Sequence, residues 1–191
     1  AKAMIFMPMA ISMIGAAVIW KLVYEFREEG LPQIGILNAI GVALGGEPQT
    51  WLTVPFWNSI LLMIVLVWVQ TGFAMVILSA ALRGIPEETI EAAVIDGANP
   101  WQIFLKIKVP QIWGTILVVW TTTTITVLKV FDIVLTMTNG QWGTQVLGNL
   151  MFDWMVRSGD SGRASSVAIV IMLLVTPIMV TAYGNIERAV E

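Results

Sequence analysis

The ionisable side chains with the most informative spacing lie in residues 86–110, a polar stretch between two long apolar runs. Glu87, Glu88 and Glu91 place three carboxylates close together there. The 191 residues contain no His and no Cys, which removes the commonest general base and metal ligand together with all thiolate and disulfide chemistry. A catalytic site would have to rest on the 13 acidic residues, most of which lie outside the apolar runs. We therefore expect the chain not to be an enzyme and to hold no catalytic residue and no metal.

The same polar stretch predicts two short helices that are separated by a glycine. Pro86 suits the first position of a helix, and the two glutamates after it place negative charge at the positive end of the helix dipole. Gly97 stops this helix, because glycine readily adopts the left-handed conformation of a C-terminal cap. Asn99 then caps a second helix with Pro100 at its first position, and Pro110 ends it. We interpret the stretch as an amphipathic helix-turn-helix that a partner in the cytoplasm can hold.

Composition places the chain among membrane proteins. Hydrophobic residues make up 57% of the sequence and charged residues only 12%, and the mean hydropathy is +0.82. A net charge of −3 does not favour nucleic acid as a partner.

Four stretches are apolar enough to cross a bilayer, which needs about 20 residues. Their bounds are about 3–20, 53–82, 109–129 and 164–186. Residues 30–46 and 133–152 are also uncharged, but glycines and side-chain amides interrupt them, so we expect them at the surface or lining a cavity. The pattern predicts an all-α polytopic membrane helix bundle. The chain opens on an apolar run that lacks a signal peptide's charged start, and we expect it to be the later part of a longer polypeptide.

The polar stretch resembles the EAA loop of ABC importer permeases. The matching residues are Glu91, Ala92, Ala93, Gly97, Ile107 and Pro110, with Val109 in place of the usual Leu. The residues that resemble the carbohydrate-importing, maltose-type branch are Asp96, Ala98, Trp101 and Phe104. The alternative is a generic amphipathic connector, which six matches at fixed spacing disfavour.

This resemblance extends over nearly the whole chain and implies a fold. Residues 1–191 would be the C-terminal part of an ABC importer type I transmembrane domain, with about four spans of a six-span core. Residues 86–110 would be the cytoplasmic segment that couples the domain to an ATPase. Basic residues alone do not set the orientation, because five fall on each side of the membrane, and the resemblance places residues 86–110 in the cytoplasm.

Hydroxyl groups are concentrated in the span that follows the polar stretch, where Thr121–Thr124 are consecutive and Thr126 follows. Gln70 and Phe73 fall on one side of the preceding span. Hydrogen-bonding groups around an aromatic ring are typical of sugar sites. The resemblance implies sugar contact at Gln70, Phe73, Thr123, Thr126 and Val127. The alternative is that the threonines bond to their own helix or join helices together.

Lys129 and Asp132 lie three residues apart at the end of the same span. This spacing predicts an ion pair at the helix end. A role in gating is the alternative interpretation.

The resemblance implies a membrane permease subunit of a bacterial ATP-driven carbohydrate importer in the cytoplasmic (inner) membrane, with an oligosaccharide or α-glucoside as substrate. Its partners would be a dimer of cytoplasmic ABC ATPases, a second homologous permease and an extracytoplasmic sugar-binding protein. The chain itself would hold no cofactor, because ATP and Mg would bind to the ATPase. The alternatives are an ion-coupled secondary carrier and a structural membrane subunit that transports nothing.

Overall fold

The computed structural model describes residues 7–190, which are helical without strands. Short 3-10 turns lie at Met7–Ala10 and Trp51–Thr53, and π-helical turns at Phe104–Lys108 and Asp153–Arg157. The α-helices are α1 (Met13–Val23), α2 (Ile36–Ala43), α3 (Trp57–Arg83), α4 (Glu87–Ile95), α5 (Pro100–Ile103), α6 (Val109–Gln111), α7 (Trp113–Leu128), α8 (Asp132–Met137), α9 (Leu147–Phe152) and α10 (Ser161–Val190).

Two of the described helices are long and apolar enough to cross a membrane, namely α3 and the Ser161–Ala182 part of α10. A third span is possible if Pro100–Gln111 and Trp113–Leu128 count as one, although they are bent by 70° relative to each other. α7 therefore starts after a sharp bend, four residues later than the expected span.

The helix in the first apolar stretch is shorter and later than the span expected at about 3–20, whose first residues lie outside the described part of the chain. Ser12 caps α1 by accepting a hydrogen bond from the Gly15 amide at 3.1 Å. This cap separates α1 from the 3-10 turn before it. α1 then continues past Trp20, but its 11 residues fall short of a bilayer's thickness.

The hydrophobic core lies where α1, α3 and α8 meet. Ala16 and Ala17 of α1 are fully buried, and their small side chains allow close approach of the neighbouring helices. Val65 of α3 is also fully buried, and Ile133 of α8 is 1% exposed. Part of the stretch 133–152, expected at the surface or lining a cavity, therefore supplies the core.

Two buried asparagines fasten the connecting segments to this core. Asn38 donates to the carbonyls of Glu25 and Gln49 at 2.9 and 3.0 Å and accepts from the Trp51 indole at 2.8 Å. Asn58, in the first turn of α3, donates to the Trp142 carbonyl at 2.8 Å. Each asparagine is 1% exposed, so these bonds satisfy groups that water cannot reach.

Residues 132–160, which we call the α8–α9 segment, are further joined by polar side chains. Arg157 donates to the Asn139 side chain at 2.8 Å and forms an ion pair with Asp153 at 2.9 Å. The hydroxyls of Thr138 and Thr144 lie 2.6 Å apart, and both residues are buried. The segment is thus held by its own side chains as well as by the core.

Candidate functional site: an exposed coupling segment and an intramembrane groove

The first helix of residues 86–112, which we call the coupling segment, starts one residue later than expected. Pro86 has φ −58° and ψ 133°, so it precedes α4 instead of opening it. Glu87 and Glu88 occupy the first turn as predicted, where their charge complements the helix dipole. Ala93 is the buried residue of α4, which shows the side that faces the rest of the chain.

The turn after α4 is a Schellman motif, and it confirms the role expected for Gly97. Gly97 has φ +79°. Its amide donates to the Val94 carbonyl at 3.0 Å, and the Ala98 amide donates to the Ala93 carbonyl at 3.0 Å. This pair of bonds defines the motif and satisfies two carbonyls at the helix end. The turn at the end of α4 therefore forms without help from a partner.

The second helix begins as predicted. The Asn99 side chain accepts from the Gln102 amide at 2.8 Å, and the Gln102 side chain accepts from the Asn99 amide at 2.9 Å. These reciprocal bonds form a capping box, with Pro100 at the first helical position. Sequence reasoning missed Gln102, although its spacing of three residues from Asn99 is the signal for such a box.

The expectation that Pro110 ends this helix is wrong. The chain passes through the π turn Phe104–Lys108 and into α6, and the break comes at Ile112. Pro110 lies at the start of α6, where a helix does not need its amide as a donor. Ile112 is buried and has φ −100° and ψ 11°, which lets the chain bend by 70° into α7.

The residues predicted to couple differ in exposure. The exposed ones are Glu91, Ala92, Asp96, Gly97, Trp101, Phe104 and Pro110; Ala98 and Ile107 are half-buried, and Ala93 is buried. Trp101 and Phe104 stack with their ring centroids 5.9 Å apart. The structure adds Val94, Ile95 and Leu105 as exposed apolar residues, and Ile95 is 85% exposed.

An apolar surface of this kind on a segment that connects two apolar helices indicates an interface with another protein. The signal that sequence reasoning missed was that Val94 and Ile95 directly precede the turn at Asp96 and Gly97.

The predicted pathway residues divide between two cavities. Gln70, Thr123 and Val127 line one cavity of about 220 Å³ between α3 and α7. Thr126 instead lines a cavity of about 210 Å³, on the side of α7 that faces Met13 of α1. Phe73 is half-buried and lines neither.

The 220 Å³ cavity continues along the groove between α3 and α7. A neighbouring cavity of about 250 Å³ shares Leu66 and Val127 with it and reaches Ser59 and Thr144. Sequence reasoning missed Thr144, because this residue is brought to the groove by the fold of the α8–α9 segment. The walls of the groove are mainly aliphatic, with isolated polar groups along its length.

Three of the α7 threonines bond to their own helix, as the alternative interpretation expected. Thr121, Thr124 and Thr126 each donate to the carbonyl four residues earlier, at 2.7, 2.9 and 2.9 Å. A hydroxyl bonded in this way can still accept a hydrogen bond from a ligand.

The predicted ion pair between Lys129 and Asp132 is wrong. The ion pairs among the described side chains are Asp153–Arg157 and Asp160–Arg163. Lys129 follows the last residue of α7, whereas Asp132 is the first residue of α8. The backbone changes direction between them at Phe131, with φ −144° and ψ −54°, and the two charged groups lie more than 4.0 Å apart.

These features define a helical membrane protein with an exposed helix-turn-helix between its apolar helices. The chain belongs to the family of binding-protein-dependent transport system inner membrane components, which residues 2–191 match. Its family is thus one of membrane transport components and not of enzymes.

Curated relatives support this assignment. The chain is 72% identical over 189 residues to the alpha-glucoside transport system permease protein AglF of Rhizobium meliloti, covering 98% of this chain and 56% of that protein. It is 53% identical over 188 residues to the osmoprotective compounds uptake permease protein GgtC of Synechocystis, covering 98% of this chain and 66% of that protein. The chain therefore spans between about half and two thirds of the length of these relatives.

A solved structure shows the fold. One chain in the crystal structure of a bacterial ABC transporter involved in the import of the acidic polysaccharide alginate matches with a TM-score of 0.85 and 22% identity. The match covers 98% of this chain and 64% of that chain. The expected all-α membrane fold of an ABC importer permease is therefore confirmed.

Proposed function

We propose that the chain is part of the membrane permease subunit of an ATP-driven carbohydrate importer. The observation that carries the proposal is the coupling segment, whose turn and caps are preformed while its apolar side chains remain exposed. A segment that satisfies its own backbone needs no partner in order to fold, so its exposed surface is available to a cytoplasmic ATPase.

The substrate we propose is an α-glucoside. Support comes from the 72% identity to a permease named for alpha-glucoside transport. The groove between α3 and α7 suits such a ligand, because sugars present both hydroxyls and C–H faces, and the groove combines Gln70 and Thr123 with aliphatic walls. An osmoprotective solute is the second candidate, favoured by the 53% identity to the Synechocystis relative.

The partners would be a second homologous permease, an extracytoplasmic sugar-binding protein and an ABC ATPase dimer. ATP and Mg would bind to the ATPase, and this chain would bind neither. Its role would be to line part of the route for the sugar and to transmit movement from the coupling segment through the bend at Ile112 into α7.

The test is uptake by proteoliposomes that contain the full-length permease and its partner subunits. Radiolabelled maltose, an α-glucoside, should enter when ATP and the binding protein are present, and should not enter when an ion gradient replaces ATP. Uptake driven by the gradient alone would establish a secondary carrier. A matched assay with glycine betaine, an osmoprotective solute that is not a glycoside, tests the second candidate.

The groove has its own test within that assay. Gln70→Leu removes the amide that lines the 220 Å³ cavity. Thr124→Val is the control, because the Thr124 hydroxyl donates to the Trp120 carbonyl at 2.9 Å and Thr124 lines neither this cavity nor its neighbours. We expect Gln70→Leu to lower uptake at least fivefold and Thr124→Val to lower it less than twofold. Equal uptake by Gln70→Leu and wild type would show that the groove is a helix contact and not a route.

A further inference from the structure

Residues 129–131 interrupt the helical chain between α7 and α8. Several cavities meet at this break. Lys129 and Phe131 line one of about 600 Å³ and also the one of about 210 Å³, while Val130 lines the latter and the 250 Å³ cavity. Broken helices in membrane proteins expose polar groups to a cavity at a depth where regular helices cannot.

Lys129 is the cation at this break, and its ammonium group has no partner among the described residues. It forms no ion pair and donates no side-chain hydrogen bond to any residue with a described side chain. Its position after the last residue of α7 favours a cation, because the helix dipole is negative at that end. That preference accounts for a charge at this position but not for the presence of the side chain at two cavities.

The 600 Å³ cavity runs beside a membrane-spanning helix. Its wall on α10 extends from Ala168 to Met179, and Met179 lies 18 residues after Ser161. At 1.5 Å per residue, the wall reaches roughly 27 Å from the start of α10. Lys129 therefore lines a cavity that also borders the spanning part of α10. Ionisable groups that face a cavity beside membrane-spanning helices are typical of substrate pathways.

The smaller cavity supplies the complementary groups. Asp132 and Thr126 line the 210 Å³ cavity together with Lys129. The carboxylate and the ammonium group do not pair with each other, so one is an available acceptor and the other an available donor. Unpaired donors and acceptors around a small cavity suit a ligand that carries many hydroxyl groups.

We propose that Lys129 is a substrate-binding residue, which donates hydrogen bonds from the helix break to hydroxyl or ring oxygens of the transported sugar. This inference rests on the proposed function and adds a residue to it. Asp132 accepts from a neighbouring sugar hydroxyl. The apolar cavity of about 600 Å³, which Met151 and Met155 help to line, binds the nonpolar part of a glycoside.

The first test compares Lys129→Met with Lys129→Arg in the full-length permease, reconstituted with its partner subunits. The control is Lys21→Met, which removes a lysine at the exposed end of α1. We expect Lys129→Met to lower the sugar transported per ATP hydrolysed at least tenfold, while ATP hydrolysis in the presence of binding protein changes less than twofold. Lys129→Arg should retain part of the transport, and Lys21→Met all of it.

A purely structural role would give a different pattern. Lys129→Met would then lower the yield of assembled complex, transport and ATP hydrolysis together, and this result overturns the proposal. Equal coupling in Lys129→Met and wild type overturns it as well. If wild type itself fails to transport maltose with ATP, the proposed function fails, which is separable from a failure confined to the variants.

The second test restores the charge chemically. The 191 residues contain no Cys, so Lys129→Cys offers a defined target once any cysteine elsewhere in the full-length protein is replaced. Aminoethyl methanethiosulfonate forms a mixed disulfide that ends in an ammonium group, whereas methyl methanethiosulfonate forms one that ends in a neutral methyl group. We expect the first reagent alone to restore transport and maltose to slow its reaction at least fivefold. Restoration of transport by both reagents contradicts the assignment. Failure of both reagents to restore transport contradicts it as well, if maltose also fails to slow their reaction with the cysteine.

Discussion

The coupling segment and the α8–α9 segment are built from the same local parts but end in opposite environments. Each begins with two short helices that are separated by one or two glycines with positive φ, and a π turn directly follows the second helix; the coupling segment then continues into α6. In the coupling segment the large apolar residues beside the turn are exposed, with Ile95 at 85%. In the α8–α9 segment Ile133 and Met137 are 1% and 4% exposed. Local sequence therefore sets the shape, and burial decides whether the segment serves the fold or a partner.

This contrast predicts which experiments will distinguish the segments. Substitutions in the coupling segment should change the retention of the ATPase and leave the stability of the permease unchanged. Substitutions of the buried residues of the α8–α9 segment, such as Ile133 and Met137, should lower the free energy of unfolding first and affect transport as a consequence.

The largest effect should come from Gly97→Pro. Proline fixes φ near −65°, whereas Gly97 has φ +79°, and it removes the amide that donates to Val94. The turn cannot form, so we expect ATPase subunits to be lost from the purified complex or to hydrolyse ATP without transport. Co-purification and coupled uptake are the measurements.

The matched control for that variant is Gly97→Asn. A β-carbon at this position meets no atom within 4 Å, and asparagine tolerates the left-handed conformation. Gly97→Asn should therefore keep most of the ATPase. If Gly97→Pro complexes retain their ATPase and transport like wild type, the segment is not the coupling element.

Asn58→Leu should give the next largest effect, on stability. It removes the bond from α3 to the Trp142 carbonyl and places an apolar side chain where Asn58 is 1% exposed. We expect the free energy of unfolding to fall by about 1–3 kcal/mol, read as a lower melting temperature in detergent. Thr53→Val is the control, because the Thr53 hydroxyl bonds only to Thr50. An unchanged melting temperature for Asn58→Leu would mean that the α8–α9 segment is held by its apolar contacts alone.

Ile95→Ala should show most clearly that the coupling segment serves an interface, whereas the α8–α9 segment serves stability. Because Ile95 is 85% exposed, its truncation should change stability by less than about 0.5 kcal/mol. If Ile95 is an anchor of the interface, the affinity for the ATPase should fall by about 1 kcal/mol or more, which is about fivefold. Glu91→Ala provides the comparison for charge, since Glu91 is also exposed on α4. A lower melting temperature without a change in affinity would place Ile95 in the fold and not in the interface.

The accuracy of the sequence predictions depended on how far apart in the sequence the interacting residues lie. Gly97 and Asn99 were predicted correctly, because caps and turns involve residues within five positions of each other. The prediction that Pro110 ends a helix was wrong, because a π turn precedes Pro110 and no pattern in the sequence indicates such a turn.

The α8–α9 segment was harder to predict. Its glycines and amides indicated surface, yet Asn58 and Trp142, 84 residues apart, join it to α3. No local pattern carries information on such a contact. The pathway residues were predicted on two helices, and only the packing of α3 against α7 shows that Gln70 and Thr123 share a cavity that Phe73 does not reach.

The smallest effect should come from Thr144→Val, and it tests how much of the α8–α9 segment depends on its polar bonds. Thr144 is 5% exposed, lies 2.6 Å from the Thr138 hydroxyl and donates to the Gln141 carbonyl at 2.7 Å. Valine has nearly the same shape, so packing is preserved and only hydrogen bonds are lost. Thr138 can still donate to the Val134 carbonyl at 3.3 Å, which limits the loss to about 1 kcal/mol. A drop in melting temperature smaller than that of Asn58→Leu would show that the bond from α3 to Trp142 contributes more stability than the bonds of Thr144 within the segment. The reverse order would show that the bonds within the segment contribute more than its bond to α3.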